Sequence, residues 1–292
     1  MPTNRDRALK PYFSYINFAT ALGCAMLVSN ANNAHAKAGN DDTVILYIPF
    51  LSSSNPTLQT KLNDAFREQG VTEVVVQNAD FWHPYQQGLR QGRIGIYFAQ
   101  PHFAAWAINK HNFIPLYKLH GTLKYVLASR RAKTSVFEVS DLNGKVVCRE
   151  PGLNLGTAWL NRLLGRRQLN ALTNEYPSIP QEMQNADSSC SAFVIDDFSY
   201  EQLNQKLSNE FIRLKQSVIF KHYAFVAHPE VDTKVIVKVK KALKSSAVSS
   251  LLNPYLAKLS KWQNLLPVQP NDYSQQDFML LNTYWGNDSD LR

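Results

Sequence analysis

Between Thr43 and Phe98 the chain alternates short apolar runs with amphipathic segments, and this alternation restricts the fold more than any other feature of the sequence. Thr43-Val44-Ile45-Leu46-Tyr47-Ile48 is a continuous apolar run, the pattern of a strand covered on both faces. A helix is expected over 58–69, where Leu58, Leu62, Ala65 and Phe66 share a face and Gly70 supplies the stop. Val74-Val75-Val76 reads as a second strand, 80–91 as a second helix capped by Asp80, and Ile94-Gly95-Ile96-Tyr97-Phe98 as a third strand. A β-α-β-α-β order predicts an open α/β sheet with helices on its faces.

Composition narrows the class. The 292 residues allow one large domain or two of ordinary size. With 45% hydrophobic and 18% charged residues, wholesale disorder is excluded, and 12 Gly and 3 Cys exclude collagen-like and disulfide-scaffold chains. The net charge of +8 is scattered, so a nucleic-acid partner is not indicated. The first forty residues have the order of an export signal: Arg5, Arg7 and Lys10, then an apolar stretch over 16–28, then Ala34-His35-Ala36. Residues 1–36 are therefore expected to be a signal peptide cleaved after Ala36, with Ala31 and Ala38 as competing sites, and the mature chain is expected in the periplasm. A retained anchor is the alternative, although the apolar run falls short of the roughly 20 residues that span a bilayer. Cys24 follows Leu22-Gly23 and is followed by more apolar residues, so it is assigned to the signal peptide.

Two cysteines remain, Cys148 and Cys190, an even number in an oxidising compartment. Cys148 ends the apolar run 145–148, whereas Cys190 precedes the run 192–195. If these were parallel neighbours, the sulfurs would sit at opposite ends, beyond the ~7 Å limit on Cα separation. The pairing stays open, with this geometry against it.

A second α/β unit starts at Lys124-Tyr125-Val126-Leu127-Ala128. It continues through the turn Ser140-Asp141-Leu142-Asn143-Gly144, the strand 145–148, a helix over 157–164 and the strand 192–195, which ends in Asp196-Asp197. The chain turns apolar again over 222–227. A long helix follows, with Val231, Val235, Val239, Ala242 and Leu243 inward and Lys234, Lys238 and Lys241 on a solvated face. No G-x-S-x-G, H-E-x-x-H or G-x-G-x-x-G occurs, and neither cysteine has an activating neighbour in sequence, so an enzyme is not expected. His83, His102, His111, His120, His222 and His228 lack metal-ligand spacing; no metal site or cofactor is expected, and a metal or metal-chelate ligand is kept as an alternative.

Four stretches in this order resemble the PhnD-like (phosphate/phosphite/phosphonate-binding) solute-binding proteins of ABC transporters. They are Leu46-Tyr47-Ile48-Pro49-Phe50; Ala79-Asp80-Phe81 through Gly88 to Ile96; Ser140-Asp141-Leu142-Asn143-Gly144-Lys145-Val146-Val147; and Cys190 to Asp196. The resemblance implies a type 2 periplasmic-binding-protein fold, α/β and two-lobed, each lobe an open mixed sheet flanked by helices. Lobe one would be 41–125 plus 219–292 and lobe two 126–218, with the ligand clamped between them by hinge closure. It further implies a small polar or anionic ligand, a monomer, and an ABC permease as partner. A membrane sensor is the alternative partner.

The ligand-facing candidates are Ser52, Phe81, Phe98, Gln100, His102, Asn154, Leu155, Gly156, Thr157 and Asp196. A Gly-flanked turn opening a helix at 154–157 presents amides and the positive end of the helix dipole, which favour an acceptor; an ordinary capped helix would look the same. The strand-end carboxylate Asp196 favours a donor. Phosphonate-binding relatives carry a Ser-Thr-Ser-Gly-like run where this chain has Leu153-Asn154-Leu155-Gly156, and Phe81 and Phe98 stand where the family has tyrosines. The cleft is therefore expected to be more apolar than theirs. Its ligand should be less charged or richer in carbon: a zwitterion, or a neutral molecule with donor and acceptor edges.

Overall fold

The computed structural model describes residues 43–49, 56–78, 82–131, 135–269, 271–274, 276–280 and 285. The expected signal peptide and its cleavage site lie outside these residues, as do Ser52, Asp80 and Phe81.

The chain folds as β1 (Val44–Ile48), α1 (Pro56–Glu68), β2 (Val74–Asn78), α2 (Trp82–Gln91), β3 (Ile96–Ala99), α3 (Pro101–His111) and β4 (Ile114–Leu119). It crosses over through β5 (Thr122–Leu123) into β6 (Tyr125–Arg130), β7 (Val146–Arg149), α4 (Leu155–Arg166), β8 (Leu172–Glu175), α5 (Ile179–Gln184), β9 (Ala192–Asp196), α6 (Asp197–Lys206) and β10 (Phe211–Gln216). It returns through β11 (Phe220–Lys221) to β12 (Ala224–Ala227), α7 (Thr233–Leu243), α8 (Ser246–Leu259) and β13 (Leu265–Pro267).

Two mixed sheets result. One has six strands in the order β13-β4-β12-β3-β1-β2, the other five in the order β10-β6-β9-β7-β8, and a two-stranded ribbon of β5 and β11 lies where the chain passes between them. β1 runs parallel to β2 and β3, and β7 parallel to β8 and β9, while β12 and β6 enter antiparallel. The carboxyl ends of β3, β7 and β9 carry the segments that form the site described below.

The apolar stripe of α1 packs as its spacing predicts: Leu58, Leu62, Ala65 and Phe66 are buried with Leu46 and Val76 of the sheet. Burial of each Leu or Phe side chain contributes about 1.5–3 kcal/mol. α7 buries Val235, Ile236, Val239, Ala242 and Leu243; Val231 is buried too, but ahead of the helix. The third strand begins at Ile96, because the chain is still bending after Gly92 (φ 65°) and leaves Ile94 exposed.

Cys148 and Cys190 form a disulfide, with Cα atoms 5.7 Å apart. The opposite-ends reasoning took the chain to run straight into β9, whereas it bends at Ser191, directly after Cys190. The register of β7 places Cys148 opposite Phe193, and the amide of Ser191 bonds to the carbonyl of Val146 at 2.8 Å. The approach to β9 thus lies alongside β7, where Cys190 packs against the cluster that contains Cys148.

Candidate functional site

A cavity of about 400 Å³ is lined by residues from both sheets. The six-stranded half contributes Gln100, just past β3, Tyr223, just before β12, and Lys258 and Leu259 at the end of α8. The five-stranded half contributes Tyr125, Arg149, Glu150, Asn154, Asp196 and Ser199. A larger hollow of about 560 Å³ beside α8 and β13 is lined by residues 243–265 of the six-stranded half alone and draws on no carboxyl end of a parallel strand. Ligands of open α/β sheets bind beyond those carboxyl ends, so the cavity lined from both sheets is the candidate.

Local structure explains each wall. Asp196 closes β9 and caps α6, its Oδ1 accepting from the Ser199 amide at 2.8 Å. Asn154 caps α4: its Oδ1 accepts from the Thr157 amide at 2.8 Å, and its Nδ2 donates to Oε2 of Glu150 at 3.2 Å. Gln100 stands at the first position before α3, ahead of Pro101; its side chain leaves α3 uncapped, and its Oε1 accepts from the Leu155 amide of the other half at 2.9 Å. Beside it, Nε2 of His102 lies 3.3 Å from the Leu153 carbonyl, a second bond between the halves.

These bonds use up the helix terminus that the sequence offered to an acceptor. α4 starts at Leu155, two residues earlier than expected; the amides of Leu155 and Thr157 both go to side chains of this protein. Gly156 has a packing role: a Cβ there would stand 2.6 Å from Cε1 of Tyr125, so only glycine lets that ring lie against the first turn.

The cavity carries two neighbouring carboxylates. Glu150 meets water in the cleft on one side and protein on the others; that surrounding protein, and then the charge of Asp196, push its pKa up to about 7. Asp196 is raised as well, chiefly by burial, with the Ser199 hydrogen bonds pulling it back and the Asp197 charge adding to the rise. Burial first, then for Tyr125 the neighbouring Tyr223, and for both the charges of Glu150 and Asp196, hold the two hydroxyls well above the usual range, so both remain protonated. The lining cations are engaged elsewhere. Arg149 pairs with Glu175 at 2.7 Å and donates to the Glu150 and Gly152 carbonyls at 3.3 Å, and the Lys258 ammonium lies 5.4 Å from the Tyr255 ring centre.

Of the candidates read from sequence, Gln100, Asn154 and Asp196 come together on the cavity wall. Leu155, Gly156 and Thr157 sit behind that wall in the first turn of α4. Phe98 is buried against Phe225 and Tyr223, with ring centres 4.5 and 5.5 Å away, and reaches the cavity only through Tyr223. His102 is wholly buried beside Phe103. The wall also includes Tyr125, Tyr223 and Glu150, which the sequence reading did not name as ligand-facing. One signal for Glu150 was available, since an acidic residue followed by Pro151 directly after a parallel strand lies at a ligand-facing end. Among the described residues no group of three or more His, Cys, Asp or Glu is placed to hold a metal ion, and no helix is long and apolar enough to cross a membrane.

Solved structures share this fold. A Xanthomonas citri protein bound to ATP superposes with a TM-score of 0.64 at 12% identity, over 82% of this chain and 96% of the other. PhnD1 of Prochlorococcus marinus, in complex with methylphosphonate, gives 0.61 at 12% identity over 83% and 98%. The fold is that of the periplasmic solute-binding proteins. A binding protein component of an ABC phosphonate transporter from Pseudomonas aeruginosa gives 0.57 at 10% identity over 79% and 83%. No protein-family model matches the chain, and no curated protein matches it in sequence. The likeness is one of type 2 architecture, two mixed sheets flanked by helices.

Proposed function

We propose that this is an exported solute-binding protein that captures a small polar molecule between its halves and presents it to an ABC-type permease. The observation that carries the reading is the cavity itself. Polar groups from both sheets, among them Gln100 and Tyr223 from one and Asn154 and Asp196 from the other, converge on about 400 Å³ at the carboxyl ends of parallel strands. We divide the chain into lobe one, 41–125 plus 219–292, and lobe two, 126–218, turning about the ribbon of β5 and β11, where Phe220 pairs with Leu123. The order of charged, apolar and small residues over 1–36 supports export. Native mass spectrometry of the protein recovered from the periplasm tests the reading. A bound small molecule released on denaturation is expected; an empty protein recovered from cells grown on varied media would count against it.

A further inference from the structure

We infer that the cleft takes a small organic cation with N–H donors, a primary ammonium or a guanidinium, seated between Glu150 and Asp196. This deepens the solute-binding reading and rests on it: the cavity between the sheets makes the site, and the carboxylates decide which charge it accepts.

Three observations on the cavity wall agree. Glu150 and Asp196 both line it, and among the described residues neither is in a salt bridge. The two cations that could have neutralised them are directed elsewhere, Arg149 to Glu175 at 2.7 Å and Lys258 toward the Tyr255 ring. The start of α4 offers an anion little, because the amides of Leu155 and Thr157 already donate to Gln100 and Asn154 at 2.9 and 2.8 Å. An entering anion would meet two carboxylates, with the Leu155 and Thr157 amides of α4 already taken. An entering ammonium or guanidinium would separate two like charges and give each a further N–H donor, with Tyr125 and Tyr223 on the same wall. Binding should strengthen as pH rises through about 7, where Glu150 loses its proton; Asp196, Tyr125, Tyr223, Arg149 and Lys258 are the other ionisable groups on the cavity.

The test is titration calorimetry of the mature chain at pH 8 with putrescine, agmatine, calcium and methylphosphonate, alongside native mass spectrometry of the periplasmic protein. Expected is binding of an amine or guanidine, or a co-purified cation of that class. Its affinity should fall about tenfold or more in Glu150→Gln and in Asp196→Asn, each checked for folding by circular dichroism, and stay unchanged in the distant Glu230→Gln. Binding of methylphosphonate or calcium alone, or a co-purified anion or neutral molecule, overturns the cation and leaves the solute-binding reading standing. An amine whose affinity ignores both carboxylate variants also overturns it. No titrant bound and nothing co-purified defeats both.

Discussion

Gly156 and His102 show how far single residues are set by their surroundings. In Gly156→Ala the added methyl would start 2.6 Å from the Tyr125 ring, which is itself packed in the core. A loss of about 1–3 kcal/mol in denaturant unfolding is expected. The loss should shrink in a Tyr125→Ala background; an equal loss there would show that the ring is not the obstacle. His102 faces a carbonyl with Nε2, so that nitrogen carries the proton, and Nδ1 is left buried without a partner among the described residues. Burial pushes its pKa down to about 3 and that of His222 down to about 4. Both folded values lie below the unfolded ~6.5, so the unfolded chain takes the protons first as pH falls. Stability is then complete above pH ~6.5 and lost toward pH 4, by about 1.4 kcal/mol per pH unit for each histidine. Glu150 acts in the opposite direction: its folded pKa is raised to about 7, so its protonation favours the folded state as pH falls. Urea midpoints measured from pH 7 to 4.5 should show a shallower acid slope in His102→Gln than in wild type; parallel slopes would contradict the assignment.

At the scale of elements, those named from the sequence were readable because each carries its own periodicity, whereas α3, β4, β8, α5, α6, β10 and α8 were not read. The run 44–48 and the stripe of α1 fall where local pattern put them. The site was readable only in part. Asn154, Gln100 and Asp196 sit at strand or helix ends that pattern can locate, whereas Tyr125 and Tyr223 become wall residues only because β6 and β12 join their sheets antiparallel. The disulfide escaped for the same reason: a register between β7 and β9 is a tertiary fact, invisible to strand order alone. Its 42-residue separation predicts a contribution of roughly 2–4 kcal/mol through the unfolded chain. The paired variant Cys148→Ser with Cys190→Ser should therefore melt lower under oxidising conditions and match wild type under reductant; equal melting in both conditions would show that the bridge adds nothing.

Across the whole molecule, Gln100–Leu155 and His102–Leu153 already join the two halves, and Arg162 of α4 adds a contact to the Phe278 carbonyl at 3.5 Å. Removing the first should loosen that closure. Small-angle scattering of Gln100→Ala should give a larger radius of gyration than wild type, and identical curves would mean that the bond does not hold the halves together. The disulfide has a different consequence at this scale, one of timing. Its two sulfurs stay thiols wherever cytosolic reductants prevail, so on the export reading the half that bears Glu150 and Asp196 gains its last constraint only after crossing the membrane. A nascent chain in the cytosol would carry that half in its slackest form, ready to be threaded across and poorly suited to hold a passenger. On that reading, oxidation on the far side would be what completes the half that carries Glu150 and Asp196.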